Sequence, residues 1–315
     1  MGRFLVSRGL QMAASLFGAL TLVFVAVTQL PGDPVRALFG FQRPPPEIYN
    51  AIRDQFHLNE PLWRQYLLYL GDIVRLDLGN SYPLDGFGRA SVGPDVLDIV
   101  VSVLPASAIV LGGAVVIQLL VGVTAGALAA SQHGERMGRM VYALALLLVS
   151  TPVLVAAYTL RHVFSTQLDW LPYTGVFRWE GYVLPTVALA VLSTGYVTLL
   201  SRTELRETLA APFIHATLGR GLSRRRVVAL HAMRPSLIPV ITFVAVNTGL
   251  LIVEGIFDVP GVGGALFDAI ASRDRTLLVG MVTFIMAIVI IANAIAEVLA
   301  AMLDPRIRLA GARPS

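Results

Sequence analysis

Cysteine and lysine are both missing from this 315-residue chain, and charge of either sign is scarce. Without cysteine there is no disulfide and no thiolate metal site, and the redox compartment stays open. The lack of lysine excludes more. A P-loop sets a lysine against the β and γ phosphates of a nucleotide, so no standard P-loop can be built here. All 24 lysine-or-arginine positions hold arginine. If ATP powers a process in which the chain takes part, another polypeptide hydrolyses it. Charged residues are 14% of the sequence against 56% hydrophobic, and mean hydropathy is +0.72. That balance lies far outside the soluble range and makes the bilayer the solvent.

Spacings that carry chemistry are absent too. His57, His133, His162, His215 and His231 never fall in H-E-x-x-H or another ligand spacing, and no G-x-S-x-G occurs. Neither a catalytic nor a metal site is therefore expected. A pI near 9.7 raises the question of nucleic acid. The arginines cluster beside apolar segments, however, and no aromatic-interleaved basic patch accompanies them, so they read as a topology signal and not as a nucleic-acid surface.

What is present is a set of six uncharged apolar runs, at 10–30, 99–132, 140–160, 181–201, 235–253 and 276–296. Each is long enough to cross a bilayer. The first exceeds the usual signal-peptide core and no A-x-A site follows it, so it reads as a retained helix. Six spans put both termini on one side. Arg3, Arg8, Arg136, Arg139, Arg202, Arg206, Arg220, Arg224, Arg225, Arg226, Arg234, Arg306, Arg308 and Arg313 fall on that side, against Arg178, Arg273 and Arg275 in the two short opposite loops. The positive-inside rule then places both termini in the cytoplasm of a multi-pass cell-membrane protein. The expected architecture is all-α: a single transmembrane domain over residues 1–315, a large external loop at 31–98 and a cytoplasmic loop at 202–234.

Within the external loop, Ile48, Ala51, Ile52 and Phe56 share one helical face, as do Leu62, Tyr66, Leu67, Leu70, Ile73 and Val74 after Pro61. Two amphipathic helices are expected to cap the outer membrane surface, either resting in the headgroups or docking a partner. Gly112, Gly113, Gly122 and Gly126 give the second span a small-residue face for close helix contact. Pro152, after Ser150 and Thr151, should kink the third span, as pathway-lining helices and many other membrane helices are kinked. Glu254, Glu297 and Arg161 fall at span ends, where interfacial solvation is expected.

In the cytoplasmic loop, Pro212 suits the first turn of a helix and Gly221 the left-handed residue that closes one. The two-turn helix between them, Phe213, Ile214, His215, Ala216, Thr217, Leu218, Gly219 and Arg220, is too short to stand alone in water. With Leu222 it forms the candidate contact surface. It reads either as an interfacial hairpin between spans or as a grip for a soluble partner. A second helix is expected after Ser223. Near the outer end of the fifth span, Glu254 and Asp258 lie one turn apart before the helix-breaking Pro260-Gly261. They read either as solvated helix-end carboxylates or, with Phe257, as part of an external gate.

The loop resembles the EAA loop of ABC importer permeases, with Gly221 at the glycine position and Ile238-Pro239 as the terminal pair, although Glu-Ala-Ala itself is not kept. ATLGRGLS at 216–223 is similar to the version found in the dipeptide, oligopeptide and nickel-peptide branch. LPGDP at 30–34, the leucine-rich run ending in DLGNSY at 77–82, VEGIFDVPGVG at 253–263 and LDPRIRL at 303–309 resemble further blocks of that branch in order. The resemblance implies one of two permease subunits, working with a second permease, two ATPase subunits that bind ATP and Mg²⁺, and an extracytoplasmic binding protein that delivers a peptide or similar small solute. It implies no cofactor in this chain and no enzyme activity of its own. An ion-coupled secondary transporter is the alternative, but such carriers place ionisable residues inside their spans, and the apolar runs hold none.

Overall fold

The computed structural model describes residues 2–29, 33, 35–36, 46–55, 57–81, 93–130, 135–173, 175–176, 178–219, 223–228, 232–244, 249–272 and 274–303. Among these residues the regular structure is helical, with one isolated antiparallel bridge between Asn80 and Asp95. Helix α1 is Gly2–Thr28. In the loop that follows, α2 is Pro46–Gln55 and α3 is Leu62–Val74. Helix α4, Val96–Ile117, passes through a π-helical turn at Gln118–Gly122 into α5, Val123–Ala130. Then come α6, Glu135–Ser150, and α7, Val153–Arg161, which ends in a second π-helical turn. Helix α8 is Glu180–Ala210, α9 is Pro212–Gly219 and α10 is Arg224–Val227. The last four are α11, Met233–Val244, α12, Leu250–Phe257, α13, Val262–Ala271, and α14, Arg275–Leu303.

Four helical stretches are long and apolar enough to cross a membrane, and there are up to six spans if each of two bent pairs counts as one. The chain is an all-α polytopic membrane protein. Two of the expected runs take another form. The third is broken, not kinked: Arg136–Ser150 and Val153–Gln167 meet at 99°. Pro152 adopts ψ 138°, outside helical space, so the helix stops and restarts instead of bending. The fifth run is covered by α11 and the start of α12, with residues 245–248 outside the described set. Helix α8 also continues well past Ser201, to Ala210.

The chain packs as two compact units, each drawn from separated stretches. The first is built around α8. Leu184, Ala188, Leu189 and Ala190 pack with Ala106, Val110 and Ala114 of α4, Ala157 of α7, and Val253, Ile256 and Phe257 of α12. Farther along, Val197 joins Val123, Val240 and Val244. This packing needs the expected glycine face. A Cβ on Gly113 would lie 2.7 Å from Thr186, one on Gly122 2.6 Å from Val197, and one on Gly126 2.5 Å from Ser201 and 2.8 Å from the Thr198 carbonyl. Gly112 has nothing within 4 Å and takes no part.

In the second unit α3 lies against α1. The Tyr66 ring sits between Phe17 and Phe24, with centroids at 6.3 and 5.2 Å, and its hydroxyl is 2.6 Å from that of Thr21. One residue-turn on, the Tyr69 hydroxyl meets Thr283 of α14 at 3.0 Å. Asp33, inside the LPGDP block, ties the start of the loop to α2. Its carboxylate accepts from the Val35 amide at 2.9 Å and from the Tyr49 hydroxyl, and lies 3.6 Å from Arg53. Arg53 in turn donates to Asn59 at 2.9 Å. Burial works against the charge on Asp33, but the bonds from Tyr49, Val35 and Arg36 and the charge of Arg53 outweigh it and hold the acid below its ordinary value.

Two outcomes follow. Gly126→Val should separate α5 from α8 and cost roughly 1–3 kcal/mol or more, read as a lowered melting temperature in detergent, while Gly112→Ala should leave it nearly unchanged. Because folding lowers the Asp33 pKa, its stabilisation is complete above the ordinary value of 3.8 and is lost as pH falls through the lowered folded value. Amide exchange of α2, corrected for intrinsic pH dependence, should therefore rise only in that acid window, and Asp33→Asn should abolish the transition.

Candidate coupling surface and outer helix break

The loop after α8 is set by how that helix ends. Ala211 takes φ −68° and ψ 141°, the extended geometry that a following proline imposes, and Pro212 then opens α9 as its first residue. The chain turns at that point without a glycine. Helix α9 covers Phe213, Ile214, His215, Ala216, Thr217, Leu218 and Gly219 as expected. Arg220, Gly221 and Leu222 lie outside the described residues, so the left-handed closure assigned to Gly221 lies there too.

The apolar residues of α9 divide between two surfaces. Ile214 is 1% exposed and packs with Leu205 of α8, Ala130 of α5, Val227 of α10 and Ala232, with Leu218, Leu209 and Met233 around them. Phe213 is 48% exposed. Ala216 and Gly219 are exposed, and Thr217 turns its hydroxyl back to the Phe213 carbonyl at 2.7 Å. A short helix that needs support therefore gets it from its own chain through Ile214 and Leu218, four residues apart on one face. Phe213 is turned about 100° away from Ile214 by the helical period. The i, i+4 spacing was visible in the sequence; that the C-terminal ends of α5 and α8 converge beneath it was not.

At the other end of the first unit, α12 carries Glu254, Phe257 and Asp258. Glu254 is 0% exposed, so the reading of both acids as solvated helix-end carboxylates is corrected for this one. Seven apolar and glycine neighbours along Leu250–Phe257 place it on a helix enclosed by α7 and α8, and end-of-run position does not mean end-of-burial. Phe257 is 3% exposed and belongs to the core. Asp258 is exposed and closes α12 in the left-handed region at φ 53°, a conformation that short polar side chains tolerate. Its amide and that of Val259 both return to the Glu254 carbonyl. In the second unit, Pro260 is exposed and Gly261 is the extended residue that precedes α13.

Arg161 is the last residue of α7. Its guanidinium donates to the Ile256 carbonyl in the last turn of α12 and to the Tyr173 hydroxyl at 3.1 Å, and stacks over the rings of Tyr158 and Tyr173 at 5.0 and 4.3 Å. A helix-end carbonyl without an intrahelical partner is thus satisfied by a charge. Glu297 is similarly engaged, 3.1 Å from Arg8. The expectation of plain interfacial solvation is corrected for Glu254; Arg161 and Glu297 stay partly exposed and add these partners to it. No group of three or more metal-ligating side chains occurs among the described residues.

A family model described as the binding-protein-dependent transport system inner membrane component matches residues 122–309, which include the loop with α9 and the helix break after α12. The chain belongs to that family. Over 98% of its length the permease is 32% identical to the oligopeptide transport system permease protein OppB of Haemophilus influenzae, covering all of that protein, and equally so to OppB of Salmonella typhimurium. It is 28% identical to the glutathione transport system permease protein GsiC of Escherichia coli, covering 99% of it. Among solved structures it is similar to a chain of the MetNI methionine ABC transporter, with a TM-score of 0.55 over 66% of the permease and 97% of that chain. At 12% identity this likeness shows the fold. The permease is thus an ABC importer subunit, and the secondary-transporter alternative is set aside.

The division within α9 predicts two different failures. Ile214→Ala in the permease should destabilise the loop that carries α9 by about 2–5 kcal/mol, as for other buried aliphatic truncations. Phe213→Ala, at a half-exposed position, should leave the melting temperature within about a degree or two. Thermal unfolding of the two purified variants checks this.

Proposed function

We propose that the permease forms half of the translocation pathway of an importer for peptides or similar small solutes. It would work with a second permease subunit, two ATPase subunits and an extracytoplasmic substrate-binding protein. The peptide assignment rests on its similarity to the OppB proteins over their whole length; GsiC, named for glutathione, widens the class to small peptide-like solutes. ATP and Mg²⁺ belong to the ATPase partners, in keeping with a chain that has no lysine for a P-loop. The arginine distribution supports cytoplasmic termini and a cytoplasmic α9.

The observation that carries the mechanism is the half-exposed Phe213 on a helix fixed from behind by Ile214. Helix α9 with the segment through Leu222 is the coupling surface for one ATPase subunit. Phe213 serves as an aromatic anchor, and Gly221 reverses the chain. An anchor on a prebuilt support loses little entropy on docking. Movement of the ATPases would reach α9 and, through Leu205 and Leu209, the long helix α8. Along α8 the packing continues through Val197 with Val123, Val240 and Val244 to the α12 core of Val253, Ile256 and Phe257. In this reading Glu254, Phe257, Asp258, Pro260 and Gly261 form an outer gate, with Arg161 holding the α12 end. Asp258 is the acid exposed to an arriving ligand.

Phe213→Ala combined with Gly221→Val should leave the permease inserted and the binding protein loaded, yet weaken ATPase docking by about 2 kcal/mol or more. Co-purification of the ATPase and ligand-stimulated ATP hydrolysis in reconstituted membranes measure this. Full retention of both would overturn the coupling role.

A further inference from the structure

Helix α3 has more apolar surface than its protein contacts use. Tyr66, Tyr69 and Ile73 share the face that meets α1 and α14, on the helical period. About 100° around from that face runs a second stripe, Trp63, Leu67 and Val74, exposed at 66%, 58% and 85%, with half-buried Leu70 between them. Arg64, Asp72 and Arg75 gather on the remaining side. An apolar arc this wide exceeds what one packed face requires.

The depth of the helix decides what covers the stripe. Tyr66 does not touch the end of α1; it lies on its flank, between Phe17 and Phe24, with Thr21 at its hydroxyl. These three residues share one face of α1, inside the apolar segment Arg8–Ala26. At 1.5 Å of rise per residue, Phe24 is about 6 Å and Phe17 about 16 Å from the last residue of α1. Thr283, which meets Tyr69, likewise falls inside the apolar segment Thr276–Ala300. Helix α3 is therefore beside two spans, at a level where hydrocarbon surrounds them.

We infer that α3 is sunk in the outer leaflet, with Trp63, Leu67 and Val74 against lipid acyl chains and Arg64, Asp72 and Arg75 turned to the headgroups. The external loop then does not simply cap the membrane surface: at α3 it dips into the bilayer and is held there by two tyrosines. The lipid replaces a protein partner on this stripe. The leaflet rests on the orientation proposed above, whereas the depth does not.

The absence of native cysteine makes the test direct. Single variants Leu67→Cys and Val74→Cys of the full-length chain are labelled with a nitroxide and reconstituted in phosphatidylethanolamine–phosphatidylglycerol vesicles. Leu22→Cys, on an exposed position of α1, is the lipid reference, and Asn50→Cys on α2 the water reference. Relaxation by molecular oxygen, which partitions into lipid, is compared with relaxation by water-soluble nickel ethylenediaminediacetate. The expected result is an oxygen-to-nickel ratio at Leu67 and Val74 close to that at Leu22 and several-fold above that at Asn50. A ratio equal to that at Asn50 would mean the stripe faces water. Immobilised labels shielded from both reagents would mean protein covers it. Either outcome overturns the inference. A reversed orientation would change the leaflet and leave the ratio high, so the two readings fail separately.

Discussion

Close approach to α8 is the constraint on which the first unit depends. A helix that must touch α4, α5, α6, α7, α11 and α12 can do so only where one partner lacks a side chain, and Gly113, Gly122 and Gly126 supply that gap on one side while Gly195 supplies it on another, 2.8 Å from the Leu148 Cβ if it carried its own. In a bilayer this geometry matters more than in water, because lipid is as apolar as the core and offers little hydrophobic drive for helix association. Van der Waals contact at short range has to supply the cohesion. The same helix runs through the unit: one end builds the seat for α9, and the half around Leu184–Ala190 packs against the helix that holds Glu254.

That arrangement separates two roles a sequence pattern merges. An amphipathic two-turn helix in a basic loop presents Phe213, Ile214 and Leu218 as one apolar set. The fold assigns Ile214 and Leu218 inward and leaves Phe213 half-exposed. The helix is held in place without Phe213, because the side chains that anchor it and the one left half-exposed are different. The cost of altering the two is different in kind: one change loosens the loop, the other removes exposed aromatic surface.

Much of this was legible in advance. The apolar runs gave the helices, the small-residue face gave three of its four glycines to α8, Pro152 gave the interruption of the third run, and Pro212 gave the start of α9. The features that were not legible are those that depend on what a distant segment brings near. Glu254 sits at the end of an apolar run, and only the placement of α7 and α8 around it makes it buried. Gly112 has the same residue type as its neighbour Gly113, yet only the latter meets Thr186. The size of the break at Pro152 likewise follows from the extended backbone of the proline, where composition predicts only that some bend occurs. Local chemistry fixes where a helix can start and stop; burial is a property of the assembly.

The exclusive use of arginine gains a structural meaning from this assembly. Arg161 lies over two tyrosine rings while donating to a helix-end carbonyl, Arg202 lies 4.2 Å from the centroid of the Tyr142 ring, and Arg53 approaches the ring of Tyr49 while its nitrogens reach Tyr49, Asp33 and Asn59. Arg161 and Arg53, which combine both kinds of contact, need a flat cation with donors in its plane and a weakly hydrated face for the ring. Lysine offers a compact, strongly hydrated charge and could make the donor contact or the ring contact, but not both from one position. In a membrane protein the point carries further, since stacking keeps the guanidinium sheltered without neutralising it. Arg53 and Arg161 are therefore multi-point fasteners at helix ends, and replacing Arg161 by lysine would keep its charge while removing that fastening.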